Sequence, residues 1–200
     1  QPFSENYKWI NNHNNSVWSG WTQLPESGDT LIITKSTKDV MALYEVAKLP
    51  AIAMQSENVL PKRHVFQQLE RRFKDITLLY DNDFDKDPNW GRIFADKFAK
   101  EFGLVDCFIP DKYKSKDFSD LVKNFGSKQA EHILLYETLI SFIARTLTIF
   151  IEIKIRNNLS MIRVWCWDFF CEFSIYIYIF AVFYKIPIIG VYIQINLIRI

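Results

Sequence analysis

Short apolar runs alternate with amphipathic stretches over residues 31–125. Leu31-Ile32-Ile33-Thr34, Pro50-Ala51-Ile52-Ala53-Met54, Ile76-Thr77-Leu78-Leu79-Tyr80 and Val105-Asp106-Cys107-Phe108-Ile109 are each bounded by polar residues and too short for helices. They read as buried strands. Between them lie helical patterns. The first follows Ser36-Thr37-Lys38-Asp39, a capping-box-like start, and runs to about Lys48. The second starts with Pro61 in its first turn and keeps Val65, Leu69 and Phe73 on one face. The third runs from about Asn89 to Phe102, with Ile93, Phe94, Phe98 and Phe102 as its buried stripe and Gly103 as its terminator. A fourth, short helix follows Lys114–Leu121. Strands that alternate with helices predict an α/β domain with a parallel sheet.

The flanking regions differ. Residues 1–30 are polar and aromatic; Val17–Trp21 is strand-like, Pro25–Gly28 is a turn, and the tryptophans are expected to cover the sheet edge rather than stack on bases. Beyond about Glu137, isoleucine, phenylalanine and tyrosine dominate, and no glycine occurs between Gly126 and Gly190. The predicted organisation is a lead-in at 1–30, an α/β domain at 31–135 and a hydrophobic tail at 136–200. The tail, dense in residues with A/T-rich codons, reads as a read-through or frame-shifted translation prone to β-aggregation. The alternative is a membrane anchor through residues 173–184, although that uncharged run falls short of the roughly 20 residues a span needs.

Net charge is +1 over 200 residues, so global charge does not mark a nucleic-acid binder. Cys107, Cys166 and Cys171 are odd in number and lack paired spacing. They argue against a disulfide framework and a cysteine-rich zinc site, and the expected setting is intracellular. The chain opens on Gln1 without a secretory pattern and reads as a piece of a longer product.

The chemistry gathers after the third strand. Asp81, Asp83 and Asp85 crowd its carboxyl end, where parallel α/β sheets bind ligands. Carboxylates this close repel unless a cation joins them, and oxygen-only donors suit a hard ion such as Mg²⁺. Asp87 extends the cluster, and Lys112, Lys114 and Lys116 form a basic run that either meets phosphate or is solvated. His13 and His64 lack a partner at ligand spacing.

These parts resemble, in order, a Toprim domain, the catalytic module shared by bacterial-type primases, type IA and type II topoisomerases and some nucleases. Leu31–Met41 is similar to the first motif as phage-encoded primase-like proteins carry it, Ala51–Glu57 to the next strand and loop, Tyr80-Asp81-Asn82-Asp83 to the DxD motif, and Lys116-Asp117-Phe118-Ser119-Asp120-Leu121 to the late KDxxD segment. The resemblance covers roughly residues 15–135. It implies a sheet of about four parallel strands flanked by helices. It also implies catalysis at Asp81 and Asp83 with Lys35 beside them, Mg²⁺ or Mn²⁺ on Asp81, Asp83 and Asp85, and nucleotide or nucleic-acid binding by Asp39, Lys116, Asp117 and Asp120.

One position departs from the pattern. Lys35 and Ser36 stand where the family usually has a glutamate and a glycine. Lysine cannot ligate a metal while protonated; Glu57 is a candidate for the missing carboxylate, and a solvated loop acid is its ordinary alternative. The resemblance implies a nucleotidyltransferase that makes RNA primers from ribonucleotides on a single-stranded DNA template in phage-type replication, in the host cytoplasm, with a replicative helicase as a further partner. The rival expectations are a Toprim nuclease and a degenerate scaffold that binds nucleic acid or a helicase.

Overall fold

The computed structural model describes residues 17–56 and 59–156. The chain divides into two compact units between Arg145 and Thr146; the sheet and the helices up to Phe125 belong to the first, and the helix that starts at Ser127 runs past the division. Among the described residues the strands are β1 (Trp18–Ser19), β2 (Gly28–Thr34), β3 (Ala51–Met54), β4 (Phe73–Leu79) and β5 (Val105–Cys107). The helices are α1 (Thr37–Ala42), α2 (Arg63–Arg72), α3 (Trp90–Phe102), α4 (Phe118–Phe125) and α5 (Ser127–Arg156). The sheet order is β1-β3-β2-β4-β5. The four strands expected from the apolar runs pair in parallel, Ile33 facing Ile52 on one side and Leu78 on the other. β1 adds a short antiparallel edge to β3, where Trp18 pairs with Met54.

Both faces of the sheet are covered over its central residues, so Leu31–Ile33, Ala51–Met54 and Leu78–Leu79 are apolar on both faces. Side chains alternate with the period of two that a strand imposes. Leu31, Ile33, Ile52 and Leu78 face a core closed by Phe66 and Leu69 of α2 and Phe98 of α3. Ile32, Ala53 and Leu79 face the opposite core, closed by Val40 of α1, Phe118 and Leu121 of α4 and Leu134 of α5. Each large side chain buried this way contributes about 1.5–3 kcal/mol of transfer free energy. Trp18 is buried in the first core and Trp21 packs against it, as expected of residues that cover an edge.

The structure corrects several boundaries. β2 starts at Gly28 and β4 at Phe73, earlier than the apolar runs, because their first residues pair with each other (Gly28 opposite Phe73, Thr30 opposite Asp75) on a half-exposed stretch. Phe73 therefore opens a strand and does not continue the α2 face. α2 begins at Arg63, with Pro61 just outside it. α1 passes into a π-helical turn at Leu43–Ala47, closed by Lys48 in the left-handed region (φ 54°). On α3 the inward positions are Gly91, Ala95 and Phe98, while Ile93 is exposed. α5 runs through position 136, and Ala130, Ile133, Leu134 and Glu137 are buried on the domain.

Among the described residues no helix is long and apolar enough to cross a membrane. The 173–184 run and most of the hydrophobic tail lie outside the described residues, as do His13 and Glu57.

Candidate functional site: a carboxylate cluster at the switch point

The order of the strands determines where a cleft forms. From β2 the chain steps outward to β3; it then returns to the other side of β2 for β4 and steps outward to β5. The helix after β2 covers one face and the helix after β4 covers the other. Connections that diverge in this way leave a crevice at the carboxyl ends of the two central strands. Lys35 directly follows β2 there, and Asp81 lies two residues past the end of β4.

Three carboxylates meet in this crevice. Asp39, Asp81 and Asp117 are all buried, and one oxygen from each lies within 4.8 Å of the others. Each arrives by a local rule. Ser36 is the N-cap of α1, its hydroxyl accepting from the Asp39 backbone N–H at 3.3 Å, which turns Asp39 inward in the first turn. Asp117 is the N-cap of α4 and accepts from the Asp120 N–H at 2.8 Å. Asp81 is fixed by its backbone. A Cβ on Gly91 would stand 2.1 Å from the Asp81 carbonyl oxygen, so only glycine lets α3 start this close.

Asp39 Oδ1 accepts from the Ser119 backbone N–H at 3.0 Å and from its hydroxyl at 2.6 Å; Oδ2 accepts from Ser36 Oγ. Burial, and then the Asp117 charge, push the Asp39 carboxyl above the ordinary aspartate range, against these hydrogen bonds.

Lysines balance the cluster. Lys35 and Lys116 both place Nζ 3.1 Å from Asp81 Oδ2. Lys38 donates to Asp117 at 2.6 Å. Lys86 donates to Asp83 Oδ1 at 2.7 Å, and Lys116 stands 3.8 Å from the same atom. Burial raises the Asp83 carboxyl, but Lys86, Lys116 and Lys35 outweigh it and hold the group below the usual range. Burial lowers the Lys116 ammonium, yet Asp81 and then Asp83 leave it above the ordinary lysine value and charged.

The structure thus regroups the residues singled out from sequence. Asp81 joins Asp39 and Asp117, which the resemblance placed in nucleotide binding. Asp83 is buried but bound to lysines, and Asp85 and Asp87 are exposed in the following loop. Asp120 is half-buried, and its backbone N–H makes the α4 cap. Of the basic run, Lys116 turns to the carboxylates, Lys112 pairs with Glu137 of α5 at 2.8 Å, and Lys114 lies over the Phe84 ring. His64 is exposed on α2.

Other residues enter that sequence reasoning passed over. Asn82 is buried and donates to the Ile109 carbonyl and to Asp111, both at 2.8 Å, while its own oxygen accepts from Asn89 at 2.8 Å. Its backbone N–H donates to the Lys116 carbonyl at 2.7 Å, which ties the end of β4 to the KDxxD segment. Asn89 caps α3 through the Arg92 N–H and also accepts from the Asp83 N–H at 3.1 Å. An asparagine just before a helical pattern was a legible cap signal; Lys38 and Lys86 carried none.

The donor set suits a hard divalent cation. Its atoms are carboxylate oxygens only, and Asp39 and Asp117 repel each other in a way that a shared cation would relieve. Lysine ammoniums already stand against Asp81 as cations.

No family model and no curated protein sequence matches the chain. Among solved structures it is similar to a DnaG primase catalytic domain bound to ssDNA, with 21% identity, a TM-score of 0.47, and coverage of 61% of this chain and 40% of that one. It is similar also to the E. coli primase catalytic core (21% identity, TM-score 0.47, 62% and 40% covered) and to the RNA polymerase domain of Mycobacterium tuberculosis primase DnaG (18%, 0.42, 58% and 39%). The chain spans about two fifths of the length of these structures.

Proposed function

We propose that the domain is a primase-like Toprim module that transfers nucleotidyl groups to an RNA primer on single-stranded DNA, with Mg²⁺ or Mn²⁺ held by Asp39, Asp81 and Asp117. The observation that carries this is the meeting of those three buried carboxylates within 4.8 Å at the switch point of a parallel sheet. A cation held there by Asp39, Asp81 and Asp117 would offset charge on the phosphates. The chain supplies position: the caps of α1 and α4 aim two of the ligands, and the Gly91 contact fixes the third. Asp83, held by Lys86, shares Lys116 with Asp81 and so adjoins the cluster.

A second reading, nucleic-acid binding without catalysis, is favoured by the two ammoniums on Asp81. The test is to incubate the full chain with a single-stranded template, labelled ribonucleotides and Mg²⁺ or Mn²⁺. Labelled oligoribonucleotides that vanish in Asp81→Asn support primer synthesis. Cleavage of labelled DNA without ribonucleotides would replace it with a nuclease. Binding without product would leave the scaffold.

A further inference from the structure

Two lysines share one carboxylate oxygen in the crevice. Lys35 arrives from the end of β2 and Lys116 from the segment before α4, and both reach Asp81 Oδ2 at 3.1 Å. This arrangement places two like charges beside each other on a carboxylate of the candidate metal cluster. Neither lysine is sealed in: their side chains are 28% and 37% exposed, whereas Asp81 is 5% exposed. Solvent, and anything dissolved in it, therefore reaches the ammoniums more readily than the carboxylate.

We infer that Lys35 and Lys116 form a phosphate subsite latched onto Asp81, so that a divalent cation and a phosphate group bind to this domain cooperatively. The inference rests on the metal-site reading above. In the latched form the two ammoniums already offset the Asp81 charge, so an incoming metal competes with them for that carboxylate. Once displaced, each is a point charge with three donors, suited to phosphate oxygens. A phosphate drawn between the two lysines relieves their mutual repulsion and releases Asp81 for the metal. Linkage makes the effect reciprocal: whatever factor phosphate adds to metal affinity, metal adds to phosphate affinity. The lysine that stands where the resemblance implied a glutamate thus has a role of its own, as an internal counter-ion exchanged on loading.

Calorimetric titration of Mn²⁺ into the full chain, with and without saturating inorganic phosphate, tests this without reference to turnover. In the wild-type chain phosphate is expected to tighten Mn²⁺ binding about tenfold, within the range coupled sites show. Lys35→Gln and, independently, Lys116→Gln are expected to bind Mn²⁺ more tightly than wild type without phosphate, and to gain little when it is added. Lys100→Gln, which removes a surface pair with Asp96, serves as the control. Repeating the titration with an oligothymidylate and with a ribonucleoside monophosphate distinguishes nucleic-acid backbone from nucleotide as the source of the phosphate. Equal Mn²⁺ affinities in wild type and both lysine variants, with binding still lost in Asp81→Asn, would overturn the latch and leave the metal site standing. Absence of Mn²⁺ binding in every form would overturn both.

Discussion

Asp117 carries two roles that one pair of substitutions separates. It caps α4 through the Asp120 N–H at 2.8 Å, and it supplies an oxygen to the carboxylate cluster. Asp117→Asn keeps a side-chain oxygen of the same reach, and asparagine caps about as well as aspartate. Asp117→Ala removes the acceptor, at a cost of about 1 kcal/mol. The ion pair with Lys38 is lost in both variants; because Lys38 is more than half exposed, that pair contributes about 0–1 kcal/mol and cancels from the comparison. Removing the charge also relieves its repulsion of Asp39, again equally in both. The two variants should therefore differ by about 1 kcal/mol in unfolding free energy, with alanine the less stable, a gap of about 4 °C in Tm for a domain of this size. Both should lose Mn²⁺ affinity. Urea unfolding of the full chain, followed by far-ultraviolet circular dichroism, gives the first quantity and calorimetry the second. Equal destabilisation by asparagine and alanine would refute the capping argument. Undiminished Mn²⁺ binding in Asp117→Asn would remove it from the ligand set.

Two further outcomes are expected. Gly91→Ala drives a Cβ to 2.1 Å from the Asp81 carbonyl oxygen, so either α3 or the end of β4 must shift; overpacking of this kind costs about 1–3 kcal/mol, and the variant should lose both thermal stability and Mn²⁺ affinity, with unchanged values for both counting against the contact. Burial raises the Asp106 carboxyl above 3.8 despite its bidentate pair with Arg92. Its stabilising contribution is then full below 3.8 and lost as pH rises through the raised value. The penalty of Asp106→Asn, measured by urea unfolding from acid to neutral pH, should be largest in acid and shrink toward neutrality; a penalty that grows with pH would contradict the sign.

The sheet was legible because its evidence is local. Leu31–Ile33, Ala51–Met54 and Leu78–Leu79 are apolar runs that a two-sided parallel sheet requires, and Asn89, Gly103 and Ser36 mark helix ends by the chemistry of their own side chains and backbones. The half-exposed start of β4 was not legible, since Lys74 and Asp75 interrupt the apolar pattern and only pairing with β2 reveals the strand. Ile93 illustrates the opposite error: size suggested burial, but Gly91 lies against Asp81 and Ala95 and Phe98 take the core-facing positions of α3. The candidate site was half legible. Asp81 and Asp83 stood out as neighbours in sequence, yet the cluster joins residues 39, 81 and 117, which three separate elements bring together without a shared periodicity. Lys35 was visible as a departure from the expected glutamate, but its place on Asp81 beside Lys116 depends on the long-range approach of the segment before α4.

The most direct measurement is Mn²⁺ binding by the full chain and by its Asp39→Asn, Asp81→Asn and Asp117→Asn variants, followed by calorimetry beside a thermal-unfolding check. Saturable binding by the wild-type chain is expected, weakened by each substitution while the fold persists. Folded wild-type protein that binds no Mn²⁺, or binding that all three substitutions leave intact, would contradict that expectation.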